Sequence, residues 1–129
     1  LQKEVAERIT AKDGKESILS ISIKVFGEPK ITGIVRAGAF SPAPSVDSAI
    51  LKISNISYDK LDSNKQDKID YFFKIVKTGF AHKRKVISAN LKPILGEKTL
   101  TVLEDCQINP KDRAETIPLE KWLCLASER

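Results

Sequence analysis

Phe40-Ser41-Pro42-Ala43-Pro44-Ser45-Val46-Asp47-Ser48 and Phe80-Ala81-His82-Lys83-Arg84-Lys85 are the two stretches whose residue types and spacing could do chemistry. In the first, two prolines at alternate positions fix φ and restrict the residues before them, so the segment should be stiff and extended. A stiff loop between strands can hold the Phe40 ring out, where it could stack on a nucleobase. Phe40 could also be a core residue, with the prolines merely ending strand pairing, because buried phenylalanine is common. In the second stretch, three consecutive cations stand at an expected helix start, where the helix dipole disfavours positive charge. Contact with phosphate would give them a use; a solvated basic turn is the other reading.

The wider charge pattern favours phosphate. Net charge is +5, yet the window 74–96 holds Lys74, Lys77, Lys83, Arg84, Lys85 and Lys92 together with His82 and no Asp or Glu. The positive field is therefore local, as a polyanion partner would require. Lys77, His82, Lys83, Arg84, Lys85 and Lys92 are the candidate RNA-binding residues. His82 is the sole histidine, and no second histidine, CxxC or carboxylate cluster stands beside it, so no metal site is expected. Glu4, Glu7, Glu104, Asp105 and Asp112 read as surface or capping residues. Arg113 and Glu115 read as structural, and Trp122 as core. A glycine-rich phosphate loop, a GxSxG elbow and a nucleophile with a visible base are all missing from the pattern.

The elements that must hold these residues fall into two sets. Val5 and Ile9 suggest a helix over residues 1–12. Ile18–Phe26 is ambiguous, because its β-branched residues partly alternate as in a strand. Strands are expected at 31–35 and 48–56, joined by the proline-containing loop. After a polar stretch at 59–66, the pattern turns helical. Ile69, Phe72, Phe73, Val76 and Phe80 fall at i, i+3, i+4, i+7 and i+11. Further helices are expected over 84–95, over 98–105, and from Pro118 through Trp122 and Leu125. A helix and two or three strands with apolar residues on both faces cannot cover themselves, so the first set belongs in a larger sheet.

The 129 residues include no methionine and begin at Leu1, so the chain is expected to be the C-terminal portion of a longer protein, inactive alone. The first twenty residues lack a signal peptide's apolar core, and no apolar run approaches the roughly 20 residues of a membrane span. Cys106 and Cys124 lack CxxC spacing and are expected to be buried thiols in a cytoplasmic protein.

Taken together, the pieces resemble the bacterial 16S rRNA adenine dimethyltransferases of the KsgA type. The likeness rests on Leu1-Gln2-Lys3-Glu4-Val5-Ala6-Glu7-Arg8-Ile9, Leu19-Ser20-Ile21, Phe40 to Ala49, Phe80 to Lys85 with Asn90-Leu91, and Arg113-Ala114-Glu115. It implies an α/β fragment. Residues 1–57 would close a Rossmann-like methyltransferase domain, 58–63 would be a linker, and 64–129 a small all-α RNA-binding domain. The remainder of the methyltransferase domain would supply the glycine-rich loop for S-adenosylmethionine, an acidic ribose-binding residue and an Asn-Leu-Pro-Tyr-like motif; no cofactor-binding residue is expected in this chain.

The resemblance further implies that Phe40 stacks on a flipped adenine and that Lys83, Arg84 and Lys85 contact small-subunit rRNA within a 30S-type particle. The intact enzyme would transfer two methyl groups to each of two adjacent adenines. The alternative is a non-catalytic RNA-binding module of the same fold, serving ribosome assembly or transcription. The sequence departs from the family at Glu16-Ser17, where an aromatic-glycine pair is usual, and at Lys24, where Gln is usual. Lys83 replaces an arginine, losing bidentate geometry, and Pro118 replaces a capping serine.

Overall fold

The computed structural model describes every residue except 12–13, 40–44, 62–64 and 128–129. Two short helices, α1 (Lys3–Ile9) and α2 (Ile18–Lys24), precede a strand pair, β1 (Glu28–Val35) and β2 (Ser48–Ser54). Four helices follow: α3 (Gln66–Gly79), α4 (Ile87–Leu95), α5 (Thr99–Asp105) and α6 (Leu119–Ser127).

The strands pair antiparallel, from Glu28 opposite Ser54 to Val35 opposite Ser48. The start of the chain lies along β2: Gln2 bridges Ser48, and the Ala49 N–H donates to the Leu1 carbonyl at 2.7 Å. Both faces keep apolar side chains in solvent. Ile34 and Ile50 are exposed. They point to opposite faces, because their partners Ala49 and Gly33 occupy opposite phases of the pleat.

Ile18–Lys24 is a helix and not a strand. Ser17 caps it: its Oγ accepts the Ser20 N–H at 3.1 Å, and Ser20 Oγ accepts the Ser17 N–H at 2.8 Å. With the helix started, Ile21 and Val25 fall four apart on one face and are fully buried. The intervening β-branched residues produced a period of two that burial overrode.

That buried face joins one core with the later helices. Ile21 and Val25 cluster with Phe72, Ile75 and Val76 of α3, Ile87 and Leu91 of α4, and Trp122 and Leu125 of α6. Ile75 takes the inward place expected of Phe73, which is only half-buried. At Gly79 a Cβ would lie 2.5 Å from the Trp122 ring, so only glycine lets α6 come this close to the end of α3.

A second correction concerns the cysteines. Cys106, just past α5, and Cys124 of α6 form a disulfide with Cα atoms 5.7 Å apart. Their 18-residue separation gave no CxxC signal, but packing α6 beside the end of α5 brings them to bonding distance.

Candidate nucleic-acid interface

The basic turn is built between α3 and α4 on aromatic packing and backbone hydrogen bonds. The expected helix start at Arg84 is displaced to Ile87, and the reason is visible in its first amides. The Ile87 N–H donates to the Asp112 carbonyl at 2.6 Å and the Ser88 N–H to the Pro110 carbonyl at 3.2 Å. Two of the four orphan donors of the helix are thereby satisfied by the 109–112 turn. The cations are left just outside the helix, still near the positive end of its dipole.

Phe80 closes α3 and stacks on Trp122, with ring centroids 5.3 Å apart and planes 22° apart. Trp122 is itself fixed, because its Nε1–H donates to the Ile117 carbonyl at 3.0 Å. From this base the chain turns through Ala81 and His82, and the Lys85 N–H donates back to the His82 carbonyl at 3.0 Å. Asn90 Nδ2 reaches the same carbonyl from α4.

His82, Lys83, Arg84 and Lys85 are all exposed, as are Lys77 on the last turn of α3 and Lys92 on α4. Lys3 pairs with Glu7 and Lys24 with Glu16, and among the described residues none of the six is paired with a carboxylate. Cations left unpaired on a rigid turn repel one another. They are available to an external anion at no cost in broken ion pairs.

A groove of about 550 Å³ runs from this turn to the N-terminal helices. Lys83, Phe80, Arg8, Glu115 and the exposed Ile18 and Leu19 are among its lining residues. Arg8 was not among the candidates from sequence. Its signal lay only in the Leu1–Ile9 block, since nothing in one-dimensional spacing relates α1 to residue 83. Glu16, engaged by Lys24, and Glu115 line the groove as well, so it sets Arg8 and Lys83 beside an apolar patch and two carboxylates.

One wall of the groove is held by the two unusual positions acting together. Glu16 is 5% exposed. Its Oε1 and Oε2 both lie 2.9 Å from Lys24 Nζ, and Oε1 also accepts from Ser20 Oγ at 2.7 Å. The Glu16 N–H donates to the Glu115 carbonyl at 2.9 Å, tying the N-terminal segment to the short 3-10 turn Ala114–Thr116. The departures at 16 and 24 are therefore one ion pair, in which each charge compensates the burial of the other.

Phe40 lies outside the described residues. The base of its loop is described. The Asp47 carboxylate accepts the Ala37 N–H at 2.9 Å, and the Asp47 carbonyl accepts the Lys3 N–H at 2.9 Å. One residue thus pins the far end of the loop to its near end and to α1.

Among the described residues, β1 leads into the 3-10 turn Ala37–Ala39 and β2 into the polar stretch before α3.

A profile of the ribosomal RNA adenine dimethylase family matches residues 1–128. The chain belongs to this family. The ribosomal RNA small subunit methyltransferase A of Dehalococcoides mccartyi is 39% identical over 130 residues, covering 97% of this chain and 44% of that protein. The Nostoc punctiforme relative of the same name is 37% identical, covering 99% of this chain and 44% of that protein. The chain thus spans less than half the length of the relatives it matches.

Among solved structures, a dimethyladenosine transferase from Plasmodium falciparum superposes with a TM-score of 0.81 at 26% identity, covering 98% of this chain and 54% of that one. The 23S rRNA methyltransferase ErmE superposes at 0.70 and 22% identity over 51% of its own length, a likeness of fold. The strand pair followed by helices is accordingly the closing part of a methyltransferase α/β sheet with its helical appendage.

Proposed function

We propose that this chain is the RNA-seating part of an S-adenosylmethionine-dependent rRNA adenine dimethyltransferase. Its substrate is adenine in small-subunit rRNA, and the methyl donor binds to the part of the enzyme outside these residues. Residues 1–57 close the methyltransferase domain, 58–63 link, and 64–129 form the helical domain. Packing crosses this division, because α2 lends Ile21 and Val25 to the helical core. A 30S-type partner and a cytoplasmic setting follow from the same reading, the Cys106–Cys124 disulfide being unusual for that compartment.

The observation that carries the proposal is the exposed run Lys83, Arg84 and Lys85, in no ion pair with a carboxylate, based on the Phe80–Trp122 stack, with Lys83 and Arg8 lining one groove. In this reading the cations bind rRNA phosphates and set its register, with Lys77, His82 and Lys92 extending the surface. The loop pinned by Asp47 then delivers Phe40 to the face of the target adenine, which lowers the cost of unstacking it.

The test is the salt dependence of binding to a small-subunit rRNA fragment. Replacing Lys83, Arg84 and Lys85 by alanine should weaken binding and flatten the slope of log K against log salt by about two units, at roughly 0.7 for each phosphate no longer neutralised. An unchanged slope would remove the basic turn from the interface.

A further inference from the structure

Asn90 is 3% exposed on α4. Its Nδ2 donates to the His82 carbonyl at 3.0 Å, the carbonyl that also receives the Lys85 N–H. The bond determines which way the amide faces, since only the nitrogen can meet a carbonyl. Its Oδ1 is then buried without a hydrogen-bond partner. A buried, unpaired acceptor lowers stability, and an apolar side chain of similar size would avoid that loss. Its neighbour Leu91 is fully buried in the core, so apolar burial at this level of α4 is readily accommodated.

What the asparagine provides instead is a grip on the basic turn. Among the described residues, it makes the only side-chain hydrogen bond that reaches residues 81–85. We propose that Asn90 is the positioning residue of the RNA-contacting turn. It clamps the His82 carbonyl and so directs Lys83, Arg84 and Lys85, at the expense of an orphaned acceptor in the core. The proposal rests on the RNA-seating reading above and names the residue that pre-organises it.

The decisive substitution in the full protein is Asn90→Leu, which removes donor and orphan acceptor together. Three readings are taken: the melting temperature, amide exchange of Lys85 and its neighbours, and affinity for a small-subunit rRNA fragment. The expected result is an unchanged or raised melting temperature, faster exchange in the turn, and affinity about three- to tenfold lower, the worth of one hydrogen bond. Asn90→Ser, which keeps a shorter donor, should fall between the two, and it serves if the leucine does not fold. A variant that melts lower while turn exchange and rRNA affinity stay as in the parent would make Asn90 a core residue only and overturn the proposal. Faster exchange with unchanged affinity would overturn it as well. The Lys83, Arg84 and Lys85 alanine variant run alongside separates the two failures: if it still weakens binding, only the clamp is lost, and if it does not, the RNA reading itself fails.

Discussion

Lys83, Arg84 and Lys85 owe their place to aromatic packing and backbone hydrogen bonds. Phe80 and Trp122 stack beneath them, and the 109–112 turn takes up the first amides of α4. Removing the cations should therefore leave the fold intact, within about 0.5 kcal/mol for exposed sites. Thermal melting of the alanine variant checks that its weaker binding is not unfolding. Gly79 is the opposite case. Gly79→Ala would drive a Cβ to within 2.5 Å of Trp122, and overpacking of this kind costs about 1–3 kcal/mol. Denaturant unfolding should show that loss, with RNA affinity falling as Phe80 shifts. At Glu16 and Lys24, removing one partner leaves the other charge uncompensated. Lys24→Met is expected to destabilise by about 3 kcal/mol, and Glu16→Leu with Lys24→Met by clearly less. Equal losses in the single and double variants would mean that the pair holds nothing.

At the scale of elements, α6 does the most to position the site. It is attached by Trp122 and by the Cys106–Cys124 disulfide. Closing an 18-residue loop restricts the unfolded chain, so reduction, or replacement of both cysteines by serine, should cost about 3 kcal/mol. Melting with and without a reductant would show it, and identical curves would contradict it. The cysteines also mark where sequence reasoning stopped. Nothing in their spacing reports that α6 packs beside the end of α5. The amphipathic run of α3 was legible because Phe72 and Val76 repeat at the helical period over fourteen residues. Ile18–Lys24 was not, because seven residues are too few for a period to outweigh β-branched composition, and its decisive signal, the Ser17–Ser20 cap, is local and polar. The basic turn was visible as a run of charge. Its partner Arg8 was hidden because the groove brings together positions more than seventy residues apart in the chain.

The molecule as a whole presents two kinds of surface, a carboxylate-free basic turn and a strand pair with apolar residues on both faces. The relatives are more than twice as long as this chain, and in the proposed full enzyme further strands would cover the exposed Ile50. Ile50→Asp should then cost about 2–3 kcal/mol in the full protein, as an unpaired polar group forced into a buried site. In the 129-residue chain alone the same change should cost little. Equal effects in the two settings would leave that face uncovered. Phe40 and the basic turn are given separable tasks, so Phe40→Ala should abolish turnover of the full enzyme while sparing rRNA affinity. The central claim is that these residues seat rRNA for methylation carried out elsewhere in the enzyme. It is tested most directly by methyl transfer from labelled S-adenosylmethionine to small-subunit rRNA, comparing the full protein with its Lys83, Arg84 and Lys85 alanine variant. The account predicts adenine dimethylation with KM raised at least tenfold, about 1.4 kcal/mol of weaker binding, and kcat nearly unchanged. A full protein that transfers no methyl group to adenine, or a variant whose KM matches the parent's, would contradict it.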